Sequence, residues 1–86
     1  MPTIGRIGAF DVMIFRNDHG PPHFHVFGGE FSAKFAIADC VLLSIKGRIR
    51  RRDIRAVEAW GQKHRVALYL NWDLARAGKP AQKIED

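Results

Sequence analysis

The 86-residue chain contains one cysteine, Cys40, so no internal disulfide can staple the fold and no thiol-based zinc finger can be built. No apolar run approaches the ~20 residues that span a bilayer. Pro2, Gly5, Arg6 and Gly8 break up the opening residues, where a secretory leader would be apolar. A single thiol without an export signal points to a reducing cytoplasm and no membrane partner. Internal repeats and low-complexity stretches are also missing. Hydrophobic residues make up 47% and charged residues 27%, a composition that folds rather than stays disordered. One domain over residues 1–86 is expected. A chain this short buries roughly 60–65% of its unfolded surface, so a partner or a homodimer would supply burial that the monomer lacks.

Acidic residues are scarce in one place above all. Between residues 46 and 55 stand Lys46, Arg48, Arg50, Arg51, Arg52 and Arg55, with Asp53 the one acid. This segment carries the whole net charge of +5, because the other basic and acidic side chains cancel. A localised excess suggests an electrostatic footprint.

The hydrophobic pattern has period two first and a helical period later. Phe10, Val12 and Ile14 alternate with Asp11 and Met13, and Ile4 and Ile7 precede them across Gly8-Ala9, which suggests a hairpin. A further strand begins at His23. Gly28-Gly29 reads as a two-residue hairpin loop, which would set Phe27 opposite Glu30, Val26 opposite Phe31, His25 opposite Ser32 and His23 opposite Lys34. Phe24, Val26, Phe31, Ala33, Phe35 and Ile37 would then face the core, leaving His23, His25, Ser32 and Lys34 on the other side. Val41 to Ile45 forms a last strand. From about Arg50, Ile54, Val57, Trp60, Gly61, His64, Leu68 and Trp72 recur at three- and four-residue steps, one buried helical stripe. Gly61 suggests a kink or a division into two helices, and Gly78 with Pro80 an end. The expected architecture is α+β: an antiparallel sheet of four to five strands over about residues 3–45, then one kinked or two consecutive helices over about 50–77.

The densest polar constellation is Asn17-Asp18-His19-Gly20-Pro21-Pro22-His23-Phe24-His25. His23 and His25 point the same way from one strand, and Asp18 and His19 lie on the stiff turn beside them. Three readings are open. His19, His23 and His25 could ligate zinc or another divalent metal, although Lys34 opposite His23 would oppose a cation. Alternatively, His19, His23 and His25 could serve as acid or base on a phosphodiester, with Lys34 and Arg16 attracting the anion and no cofactor needed. Or the histidines are half-exposed strand residues, while Asn17 and Asp18 hold turn backbone. A histidine-triad hydrolase is excluded, because Phe27 stands where a third alternating histidine belongs. In the basic segment, Arg48, Arg51, Arg52 and Arg55 are the candidate binding residues, for RNA or DNA phosphates or for an acidic protein. Cations at a helix start oppose the helix dipole, so their presence there invites a use for them. A solvated face quieted by Asp53 and Glu58 is the alternative. Cys40 reads as a small buried residue, and His64 as a core histidine.

Met1-Pro2-Thr3-Ile4, the Asp18-to-His25 run, Trp60, His64, Asn71-Trp72 and Gly78 together resemble domain of unknown function 4160, a family of small bacterial proteins. The motif residues Asp18, His19, Pro21, Pro22, His23, Phe24 and His25 carry the resemblance without an assigned role. Gly61 departs from it, standing where a larger apolar residue is expected. The resemblance implies an uncharacterised accessory or toxin–antitoxin-type module with a small cognate partner similar to domain of unknown function 2442.

Overall fold

The computed structural model describes residues 3–85; Met1, Pro2 and Asp86, the ends of the expected domain, lie outside the described residues. Five strands come first, β1 (Gly5–Ile7), β2 (Phe10–Met13), β3 (His23–Phe27), β4 (Phe31–Ala36) and β5 (Leu42–Gly47). Two helices follow, α1 (Arg51–Lys63) and α2 (Arg65–Arg76). The strands form one antiparallel sheet in sequence order, which makes β1 and β5 its edges. The α+β expectation therefore holds, with the sheet at its full five strands.

Alternation put the core on the correct face. Phe24, Val26, Phe35 and Ile37 are fully buried, and Phe31 and Ala33 nearly so. They pack with Ile4, Val12, Ile14, Val57, Trp60 and Leu68. Phe24 stacks on Phe35 at 5.7 Å between ring centroids, and Trp60 closes over Phe24 from α1.

The hairpin register differs from the expected one. Phe27 pairs with Ser32, Val26 with Ala33, His25 with Lys34 and His23 with Ala36, so the tip is Gly29-Glu30 rather than Gly28-Gly29. Neither glycine of the pair has positive φ, so the primed turn they suggested does not form. Non-local bonds decide the matter. Phe31 pairs with Gly47, the Arg48 N–H donates to the Glu30 carbonyl (2.9 Å), and the Phe31 ring lies edge-on to Phe10 at 5.0 Å. Together these hold the start of β4 where local turn preference would not. The slip is two residues, an even number, so every side chain keeps its predicted face.

The helical region divides at His64, not at Gly61. Gly61 is buried inside α1, and a Cβ built there would stand 2.6 Å from Cys40 Sγ and 3.4 Å from Phe24 Cζ. The larger apolar residue expected at this position has no room. Gly5 does the same for Trp60, whose Cζ2 would stand 2.8 Å from a Cβ on the strand. Beyond Gly78, at φ +69°, the tail is pinned. Asn71 donates to the Gln82 carbonyl (2.9 Å) and accepts from its N–H (2.8 Å), and Ile84 is buried with its N–H on the Ile4 carbonyl (2.6 Å).

Helix α1 packs on β1 and the tail bonds beside it, while among the described residues no strand pairs with the outer edge of β5. Among the described residues, no helix is long and apolar enough to cross a membrane.

Candidate functional site

Asp18 sits on the turn between β2 and β3, where its N–H donates to the Phe15 carbonyl and its Oδ2 accepts from the Phe15 N–H, both at 3.3 Å. This reciprocal pair aims the carboxylate back at the start of β3. The same Oδ2 lies 2.9 Å from His25 Nε2 and 3.4 Å from His23 Nε2. One carboxylate oxygen therefore bonds one imidazole and stands close to a second, the two projecting from alternate positions of one strand.

Each ring is fixed from behind. His23 Nδ1 lies 2.9 Å from the Pro21 carbonyl, an acceptor only, so Nδ1 carries the proton and donates. In the neutral ring the lone pair is then on Nε2, an atom shut off from solvent and without a hydrogen-bond partner among the described residues. Trp72 of α2 covers this ring at 5.2 Å. His25 is held edge-on by Phe15 at 4.5 Å and stacks parallel to Phe27 at 6.1 Å. The side chains of His23, His25 and Asp18 are only 8%, 12% and 17% exposed, so the histidines are much more enclosed than half-exposed strand residues.

Burial lowers the His25 pKa below the usual imidazole value; the Asp18 hydrogen bond and charge oppose this, while His23 and Lys34 reinforce it. The ring is thereby favoured in its neutral form, the form that offers a lone pair. Lys34 stands opposite His25 rather than His23, is exposed, and exerts the weakest of these influences. Its repulsion of a cation now acts from beside His25, screened by solvent because Lys34 is exposed.

Among the described residues, Asp18, His23 and His25 offer three ligand atoms that all lie within 4.8 Å of one another. His19 does not join them. It is exposed and lines a shallow hollow with Arg16, Asn17, Asp18 and Arg76. Alternation showed that His23 and His25 share a face, but nothing in the sequence ranked Asp18 above His19 or revealed Trp72 as a cover.

The basic segment lies elsewhere, along the end of β5 and the first turns of α1. Lys46, Arg48, Arg50, Arg51, Arg52 and Arg55 are all exposed. Among the described residues, neither Asp53 nor Glu58 forms an ion pair with any of them. The expected quieting of these charges is not observed. Arg50 caps α1 without a side-chain hydrogen bond, so only Asp53 favours the helix dipole in that turn. Cys40 is buried and its thiol pKa is raised by that burial, as suits a packing residue.

The family described as Domain of unknown function (DUF4160) matches residues 10–73, most of the chain. The chain belongs to this family. No curated protein and no solved structure matches it. The DUF4160 match takes in the Asp18–His23–His25 cluster, the β5 edge and the whole basic segment, and leaves out β1 and the pinned tail.

Proposed function

We propose that this DUF4160 domain is a binding module that docks an acidic, extended segment of a protein partner along β5. One observation carries the reading: among the described residues, a sheet edge that no other strand pairs with bears exposed apolar side chains and runs directly into exposed cations. Val41, Leu43 and Ile45 are 51%, 46% and 39% exposed. An exposed edge strand presents unpaired backbone donors and acceptors, and natural proteins usually blunt such edges with proline, several charges or a covering element. β5 has no proline and one charge, Lys46. A one-residue bulge places Leu43 out of register, and the regular stretch Ser44–Gly47 leads into Arg48 and Arg50.

A partner strand added to this edge would gain backbone hydrogen bonds, cover the apolar side chains and bring carboxylates to the arginines. The apolar residues favour protein over nucleic acid, because a phosphate backbone has no use for them. A small cognate protein of the toxin–antitoxin type is the partner class that this surface suits. The catalytic reading has less support, since the enclosed imidazoles offer a phosphodiester little surface.

The test compares two probes by fluorescence anisotropy: a labelled peptide alternating glutamate and valine, and a labelled single-stranded oligonucleotide. The peptide should bind the wild type, lose about tenfold or more in affinity with Ile45→Lys, about 1.4 kcal/mol, and lose binding with Arg51→Glu plus Arg55→Glu. Oligonucleotide binding that ignores Ile45→Lys, together with no peptide binding, would replace this reading with a nucleic-acid one.

A further inference from the structure

We propose that Asp18, His23 and His25 form a binding site for a divalent transition-metal ion of the zinc class. This stands apart from partner docking on β5 and rests on other residues.

The buried Nε2 of His23 is the decisive atom. Its ring proton is committed to the Pro21 carbonyl through Nδ1, so in the neutral ring a lone pair faces the Asp18 carboxylate at 3.4 Å. Two acceptors facing each other at an atom closed to solvent repel, and one positive charge between them removes the conflict. A metal ion bound between them would supply that charge, and Asp18, His23 and His25 already bring three ligand atoms within 4.8 Å of one another.

The surroundings are those of a built ligand set. A metal-binding imidazole commonly donates its other N–H to a carbonyl, which fixes the tautomer and sharpens the lone pair, and Pro21 does this for His23. His25 presents Nε2 to the same carboxylate oxygen at 2.9 Å, and a shift of its proton to Nδ1 would free that nitrogen to coordinate. Two imidazoles and a carboxylate suit zinc-like ions and leave a fourth coordination position. Asp18 also borders the hollow lined by Arg16, Asn17, His19 and Arg76, so water or a small anion can reach that side.

The experiment uses the full chain without a polyhistidine tag, stripped with chelator and titrated with zinc chloride in a calorimeter. The result expected is one ion per chain, with a rise in thermal midpoint. Asp18→Asn, close to isosteric, should weaken binding on the order of 100-fold or more, since even residues supporting a ligand are worth 10–100-fold. Should Asp18→Asn fail to fold by circular dichroism, His25→Gln is the second variant with the same expectation. Imidazole nitrogen NMR of the wild type needs no variant: in excess zinc, His23 should show a proton on Nδ1 and a metal-shifted Nε2. No stoichiometric binding, equal binding by wild type and folded variants, or a His23 ring protonated on both nitrogens in excess zinc would each overturn the site.

Discussion

Cys40 Sγ occupies the space in which a side chain at Gly61 would begin, 2.6 Å from the point where its Cβ would stand. The contact joins the β4–β5 turn to the middle of α1, and it explains why a poor helix former sits in a helix interior. Helix propensity alone says that Gly61→Ala should stabilise α1 by about 1 kcal/mol. Packing says the reverse, because Phe24 closes the other side and overpacking a filled core costs about 1–3 kcal/mol. The prediction is a net loss of stability in urea unfolding. Cys40 has φ +59°, a conformation that glycine adopts freely, so Cys40→Gly in the same chain should restore part of the loss.

The Cys40 thiol itself should be inert in the folded protein. Burial raises its pKa, so the fold favours the neutral thiol. The sign follows from linkage: stability is fully present below the unfolded thiol's pKa, about 8.5. It declines as pH rises through the folded value. A thiol reagent at neutral pH should label the native chain slowly and the urea-unfolded chain at once. Fast labelling of the native chain would contradict the packing described.

Asn71 should be costly to remove. It is 2% exposed, and its amide bonds to the Ala67 carbonyl and to both backbone groups of Gln82. Asn71→Leu leaves these groups to find other partners, and about 1–3 kcal/mol of destabilisation is expected. Hydrogen exchange should quicken at Ile84, whose N–H bonds to Ile4 beside the tail. Unchanged exchange there would show that the tail is held by Ile84 burial alone.

What the sequence made legible was set by periodicity. Which residues face the core could be read because alternation survives a register slip of two, and the helical stripe from Val57 to Trp72 survives a break at His64. The hairpin tip could not be read, since the bond between Arg48 and Glu30 and the pairing of Phe31 with Gly47 join residues distant in sequence. For the same reason Gly61 looked like a weak point, when its lack of a side chain is what admits Cys40. The histidine pair was legible as a same-face pair. Its enclosure by Trp72 and the choice of Asp18 over His19 depend on where α2 and the turn pack, which no local pattern encodes.

Salt should separate the two kinds of ligand for the basic segment. A polynucleotide that releases counterions from several phosphates should bind with a steep slope of log affinity on log salt, about 0.9 for each neutralised phosphate on a duplex and about 0.7 on a single strand. A strand docked on β5 keeps its backbone bonds and apolar contacts at high salt, so its slope should be shallower. Equal slopes for peptide and oligonucleotide would mean that β5 contributes nothing.

The most direct test of docking on β5 is backbone hydrogen exchange with and without the acidic strand peptide. Slower exchange over residues 42–47, with Arg51 to Arg55 affected less, is the predicted result. Protection confined to the start of α1, with the β5 amides unchanged, would contradict it.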